Sequence, residues 1–522
     1  MIKNNVDHKA RIIWCFMITA LLGSISHGYF FSSNAFSHDS LLLYTSDDIW
    51  QISLGRFGMP FYRMLRGYLS VPWLIGVCLI GFATIAVYLI SDMYQIRSRW
   101  MVAIIAAIIV SCPVVAIQIA TFIPWADIYM CSMMLAALGV YLSEKYRFGI
   151  VAGCFITALS MSLYPAYFAA SCILSIFCVW KKVFDSKADK VKIWKTVARQ
   201  ILLLILSLVV YVVMDRVVLH ILQLQPIDNY NSLENAFHFD ISLLPSQMMD
   251  TFRYVFVLFA YPLGHSSLMI RGGNILFALI FITACINKIM TIWKKEDRAT
   301  RVVMFLLTLP ALLFSAGIIY FINNGTVHGL MNAPFYLLYL SPIILFDNAS
   351  QIKTLQVSKL VGVLLIVVYG ALFFDSAIYS NNCYLYKRLA YDRTNMFMTK
   401  LTYHLESDPN YEPGITPVAI IGLPDANEYY KNYNILMDPY YDTMQYKQNI
   451  GMNVKYTITG ALYFPYYFTY ISSEKINCVD SVRIMELEAM QDVIDMPVYP
   501  SKDCIKWIND TLVVKVSSYS IN

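Results

Sequence analysis

Residues 199–222 read RQILLLILSLVVYVVMDRVVLHIL, a run of apolar side chains interrupted by one Asp-Arg pair. About 20 such residues cross the hydrocarbon core of a bilayer as a helix, so this stretch predicts a membrane span. Upstream lie seven Lys and Arg between Lys181 and Arg199, the kind of basic flank that cytoplasmic connections carry. Reading outward with the same test gives eleven spans, near 11–33, 71–91, 101–117, 125–143, 148–163, 166–180, 199–222, 274–293, 302–322, 330–346 and 360–379. The run at 11–33 is too long for a signal-peptide core and is read as a retained first span. The fifth and sixth runs are short, join at Tyr164–Pro165, and are open to being a re-entrant pair. The apolar stretch 252–263, broken by Pro262 and Gly264, suits a segment at the membrane interface.

Composition agrees. Only 14% of the 522 residues are charged and 58% are hydrophobic, against about 25% charged in a soluble domain. Eight of the eleven cysteines lie singly within the apolar runs before residue 300, without metal-ligand spacing, and read as small buried hydrophobes. Cys383, Cys478 and Cys504 fall in the polar tail, where a Cys478–Cys504 bridge is open if the compartment is oxidising.

Basic residues orient the chain. One set of connections holds 21 Lys and Arg and the other only Arg56, Arg63, Arg66, Arg216, Arg253 and Arg271. The rich side is expected to be cytoplasmic, with the N-terminus inside. Eleven spans then leave the tail outside. The expected architecture is an α-helical polytopic membrane domain over 1–379 and a C-terminal α+β domain over 380–522. In the tail, 389–405 has helical spacing, 418–423 and 511–516 read as strands, and Asn509–Asp510 looks like a hairpin turn.

The first outside loop, 34–70, carries the unusual chemistry: SHDSLLLYTSDDIWQISLGRFGMPFYRMLRGYLSVPW over 37–73. Asp39, Asp47 and Asp48 lie within 28 positions of Arg56, Arg63 and Arg66. Seven residues are nearly two helical turns, so Arg56 and Arg63 are expected to share a helix face, with Arg66 about 80° away. Tyr62, Leu65 and Leu69 are then expected to rest on lipid. Arginines on the outer side run against the positive-inside bias, and a lipid-borne phosphate, which Arg binds bidentately, is one reason for them. Ion pairing with the neighbouring aspartates and headgroup anchoring is the other. The carboxylates suit a general base near the membrane surface; Asp39 lies closest to the first span, and adjacent Asp47 and Asp48 diverge in any regular element. Asp127, at the start of a span, is a candidate for lining the same outward cavity or for an interhelix pair. Asp215 and Arg216 are neighbours on a helix and each needs its own partner.

Other chemistries lack their residues. There is no G-x-x-x-x-G-K-[ST] loop, no H-E-x-x-H and no clustered His, so neither a nucleotide-driven transporter nor a zinc enzyme is indicated. No metal site and no nucleic-acid partner is expected. The stretch from Gln95 to Trp100 is one residue too long for a Q-x-x-R-W signature, and no cytoplasmic connection has room for a nucleotide-sugar domain.

The loop S-H-D-S-L…D-D-I-W-Q-I-S-L-G-R-F, the P-W-L-I-G that follows it, and the ending P-S-K-D-C-I-K-W-I-N-D-T-L-V-V-K-V resemble the type II Gtr membrane glucosyltransferases, the phage-borne serotype-converting enzymes of bacterial O-antigen. That resemblance implies a GT-C-like enzyme of the bacterial inner membrane with a periplasmic C-terminal domain. It implies transfer of glucose from undecaprenyl phosphate-glucose to O-antigen of lipopolysaccharide, an acidic residue of the first outer loop being essential. Partner activities would be a polyprenyl-phosphate glucosyl synthase and a flippase. Asp39 matches that acidic position best and Asp48 next, while Gly55 and Arg56 match the loop motif. A divalent metal is left open by it. Tail tyrosines such as Tyr429, Tyr430, Tyr440, Tyr441, Tyr466 and Tyr467 would suit sugar rings, or equally an interfacial aromatic belt. An O-antigen polymerase would normally carry its large outer loop mid-chain. A transporter or flippase of lipid-linked sugars would be expected to show pseudo-repeated halves, and no such symmetry is evident.

Overall fold

The computed structural model describes residues 2–33, 35, 38–41, 48–68, 71–227, 241–260, 267–293, 295, 297–323, 325, 327–346, 355–424, 463–472 and 475–518. It is mostly helical. In chain order the helices are α1 (Ile2–Phe31), α2 (His38–Leu41), α3 (Asp48–Ser53), α4 (Gly58–Arg66), α5 (Pro72–Met93), α6 (Arg99–Val110), α7 (Pro113–Thr121), α8 (Ala126–Lys145), α9 (Gly149–Leu163) and α10 (Phe168–Phe184). They continue with α11 (Lys190–Leu222), α12 (Leu244–Ala260), α13 (Leu268–Trp293), α14 (Arg298–Ile322), α15 (Ser341–Phe346) and α16 (Leu355–Glu406). A 3-10 segment, Gly329–Leu340, leads into α15.

Among the described residues nine helices are long and apolar enough to cross a membrane. They are His8–Phe31, Pro72–Met93, Ile123–Lys145, Pro165–Phe184, Lys190–Leu222, Leu268–Trp293, Arg298–Ile322, Gly329–Phe346 and Gly362–Glu406. α6 and α7 meet at a 41° bend and together would make a tenth; Ser111 and Cys112 fill the break, and Pro113 opens α7. α9, at 15 residues, is shorter than a full span. Each expected segment thus falls on a helix, and this is a membrane protein.

The caps follow from local chemistry. Asp189 accepts the Lys192 backbone N–H at 2.8 Å to start α11, and Gln223, at φ 54°, ends it. α5 starts on Pro72 and stops before Gln95, at φ 59°. Burial sorts the helices. α8 is enclosed on nearly every side, whereas α11 buries Ile193, Thr196 and Gln200 and exposes Ile201, Ile205, Val209 and Val213. An exposed face of that composition is stable only against hydrocarbon.

By contacts the chain divides into two compact units. The first is Met1–Ser32, Asp47–Ile119 and Trp125–Asn382; the second is Ser33–Ser46, Ala120–Pro124 and Cys383–Asn522. Residues 34–70 are therefore divided between the two units. The dividing point Asn382/Cys383 lies inside α16, which runs unbroken through the position where composition changes.

The second unit holds helices α17 (Tyr463–Ser472), α18 (Ser481–Glu488) and α19 (Gln491–Ile494) and strands β1 (Pro417–Ile421), β2 (Asn477–Cys478), β3 (Ile505–Ile508) and β4 (Thr511–Lys515). The sheet order is β2-β1-β4-β3. β1 is parallel to both neighbours, with Val418 opposite Leu512, and β3 and β4 form the expected antiparallel hairpin with Asn509 at φ 56°. One face, Val418, Ile420, Leu512 and Val514, packs on Met398, Leu401, Phe464 and Tyr467. The other, Ala419, Ile421 and Val513, packs on Leu487, Val493 and Met496. Covered on both faces, β1 and β4 read as continuous apolar runs rather than alternating ones. Leu41, from the first outer loop, is buried in the first of these clusters.

Two expectations for the tail are corrected. Cys478 and Cys504 are free thiols. Cys478 ends β2 and Cys504 immediately precedes β3, at opposite edges of the sheet. Three strand spacings, about 14 Å, exceed the roughly 7 Å that a disulfide spans. Tyr467 is no sugar platform, because it is buried in the core with its hydroxyl on Asn395 Oδ1 at 2.6 Å. Tyr429, Tyr430, Tyr440 and Tyr441 lie outside the described residues.

Candidate functional site

The charged residues between Asp48 and Arg66 are arranged around one glycine turn. α3 ends as Arg56 N–H returns to Gln51 O at 2.9 Å, with Gly55 at φ 76°. That left-handed conformation is nearly free for glycine and costly for other residues. A Cβ on Gly55 would also run into the hydroxyl of Tyr211 on α11. Tyr211 donates to Gly55 O at 3.0 Å, and its ring stacks on Phe57 at 6.0 Å. Asp215, one turn further along α11, faces the same glycine.

This turn corrects the expected helix face. Arg56 precedes α4 and does not share a helix with Arg63. The Arg56 guanidinium donates to Gln51 Oε1 at 3.1 Å and lies 4.9 Å over the Tyr164 ring. His328, at the start of the 3-10 segment, has its pKa lowered by burial and then by the positive charge of Arg56.

α4 itself is amphipathic. Phe61, Met64 and Leu65 are exposed, while Met59 and Arg63 are buried. Leu65 thus faces outward as expected. Tyr62 does not: it turns inward and donates to Asp127 Oδ2 at 2.8 Å. Leu69 lies outside the described residues. Burial, and then the neighbouring Asp127 carboxylate, push the Tyr62 phenol well above its ordinary range.

Two arginine–carboxylate pairs fix the helix. Arg63, 2% exposed, donates to Asp48 Oδ1 at 2.7 Å, and the Asp48 side chain is 31% exposed. The Arg63 guanidinium also lies 4.8 Å from the Trp125 ring and 5.3 Å from that of Tyr68. Arg66, 4% exposed, donates to Asp127 Oδ1 at 2.6 Å. Asp127 is fully enclosed and takes a third bond from the Ile128 backbone N–H at 3.0 Å. A buried carboxylate with three donors is a satisfied ion-pair partner rather than a water-facing group.

The loop residues therefore separate. Asp48, Arg63, Arg66 and Asp127 come together around α4, and Arg56 joins Gln51, Tyr164 and His328. Asp39 sits on α2 in the second unit, its side chain outside the described set, and Asp47 lies outside the described residues altogether. Trp125, Tyr211 and His328 were not singled out from sequence, and Tyr62 and Tyr164 were read only as a lipid contact and a junction between runs. Aromatic residues beside arginines were the available signal, but the chain's many tyrosines and phenylalanines dilute it. Among the described residues no three His, Cys, Asp or Glu side chains are grouped to hold a metal ion.

The fold and the site define a polytopic helical membrane protein with a charged, arginine-rich loop braced on its apolar helices. More narrowly, this chain belongs to the glucosyl transferase GtrII family, whose model matches residues 28–346, more than half of its length. It is a glycosyltransferase of the membrane. The match takes in α2 to α15 and all the candidate loop residues. No curated protein and no solved structure gives a significant match.

Proposed function

We propose that this chain transfers glucose from undecaprenyl phosphate-glucose to O-antigen of lipopolysaccharide on the periplasmic face of the bacterial inner membrane. The observation that carries the reading is the pair of arginine–carboxylate bridges on α4, next to two membrane spans, in a chain of a glucosyltransferase family. The topology is eleven spans within 1–379, counting the bent α6–α7 pair and α9, with the N-terminus inside and 380–522 as a periplasmic domain. The first outer loop, 34–70, is the catalytic one.

The chemistry is a displacement at the anomeric carbon. An acceptor hydroxyl attacks, its proton passes to a carboxylate, and the sugar–phosphate C–O bond breaks with its electron pair going to the phosphate oxygen. A polyprenyl phosphate is an activated leaving group already held in lipid, so no nucleotide is needed. Arg56, Arg63 and Arg66 bind the donor phosphate and stabilise its growing charge. Each guanidinium carries five N–H donors in a planar fork, a geometry that matches phosphate oxygens. Asp48 is partly exposed and suits the base; Asp39, on α2, is the alternative, and Asp47 the third candidate. Asp127, enclosed by Tyr62 and Arg66, holds Arg66 in place rather than receiving the proton. A flippase and a polyprenyl-phosphate glucosyl synthase supply the donor. The family favours transfer over the transport and polymerase readings.

The test is transfer of radiolabelled glucose to O-antigen by the purified chain and by folded Asp39→Asn and Asp48→Asn variants. Loss of turnover in one folded variant is expected and assigns the base. Full turnover in both and in Asp47→Asn overturns the loop-carboxylate mechanism.

A further inference from the structure

The first turns of α11 carry a second feature, unconnected with the outer loop. Its inner face, Ile193, Thr196 and Gln200, is buried, with Gln200 accepting from Ser175 at 3.1 Å. Val191, Trp194, Lys195 and Ala198 recur at helical spacing on another face and are exposed. Together with Lys190, and with Thr300 from α14, they line an open depression of about 520 Å³. Ala198 is small, Trp194 stands as a wall, and no carboxylate lines the hollow.

The nearby acids among the described residues have other hydrogen-bond partners. Asp297 is paired with Arg301 at 2.6 Å, Asp189 accepts Lys192 N–H at 2.8 Å, and Asp185 accepts Lys187 N–H at 2.9 Å. Among the described residues neither Lys190 nor Lys195 pairs with a carboxylate. The result is two ammonium groups, without a carboxylate pair among the described residues, over an apolar, Trp-walled trough at the ends of two candidate spans. Water-soluble anions have no use for the apolar wall, and a neutral lipid has none for the lysines.

We propose that this depression binds one anionic phospholipid, its phosphate between Lys190 and Lys195 and its acyl chain along Val191, Trp194 and Ala198. The basic flank that orients the chain thus contains a built headgroup site on the face opposite the transfer chemistry. Both lysines are exposed, so their replacement leaves the fold intact.

The experiment is native mass spectrometry of the full chain in detergent, titrated with phosphatidylglycerol, with phosphatidylcholine, and with phosphatidylglycerol plus inorganic phosphate. Preferential retention of one phosphatidylglycerol is expected. It should weaken roughly 30-fold in the Lys190→Ser/Lys195→Ser variant, persist in Lys190→Arg/Lys195→Arg, and fall in Trp194→Ala. Equal retention of phosphatidylcholine, unchanged binding in the double-serine variant, or full displacement by millimolar phosphate would each overturn the proposal.

Discussion

Replacing Asp127 by Asn keeps the side chain's size and removes only its charge. In the native protein Asp127 takes bonds from Arg66 at 2.6 Å, Tyr62 at 2.8 Å and Ile128 N–H at 3.0 Å, with no exposed surface. The amide oxygen of Asn can still accept one or two of these. Its NH₂ group, however, faces donors, and Arg66, only 4% exposed, loses the carboxylate charge of its buried ion pair. Breaking one side of such a pair costs about 3–5 kcal/mol, whereas replacing both partners by apolar groups of similar size is often neutral or stabilising. Asp127→Asn is therefore expected to lower the unfolding free energy, measured in mixed SDS–detergent micelles, by that amount. Arg66→Met/Asp127→Leu should recover most of the stability, yet remain impaired in transfer because a guanidinium proposed to bind the donor phosphate is gone. A single variant within about 1 kcal/mol of native, or a double variant as unstable as the single, would refute the ion-pair reasoning.

Other consequences can be measured. Gly55→Ala places a Cβ against Tyr211 in a left-handed backbone and should cost about 1–3 kcal/mol, seen as a lowered melting temperature; Tyr211→Phe, which loses one hydrogen bond, should cost about 1 kcal/mol. Asp297 has its pKa lowered chiefly by the hydrogen bond from Arg301. Its contribution is therefore present above the unfolded carboxylate pKa of about 4 and is lost as pH falls through the lower folded value. The stability gap between native protein and Asp297→Asn should accordingly narrow on acidification, and a gap that widens would contradict the pairing. Oxidation should leave Cys478 and Cys504 unlinked, so a peptide map showing that bridge would contradict the sheet order.

The spans were legible because bilayer thickness dictates length, and length with hydropathy can be read residue by residue. The β3–β4 hairpin was legible for a similar reason: Asn509–Asp510 supplies the turn's backbone conformation locally. The 34–70 loop was only partly so. Its charges announced themselves, but helical periodicity carried Arg56 onto the face of Arg63 because it ignored Gly55, whose left-handed φ ends α3. Tyr62 was assigned to lipid because its partner, Asp127, is 65 positions away. The burial of Leu41 beside Tyr467 in the tail's core is a long-range contact with no local signature.

The most direct test of the central claim offers purified protein two labelled donors, glucose on polyprenyl phosphate and glucose on a nucleoside diphosphate, with O-antigen as acceptor. The account predicts label in O-antigen from the lipid donor alone. Transfer from the nucleotide sugar, or none from the lipid donor by folded protein, would contradict it.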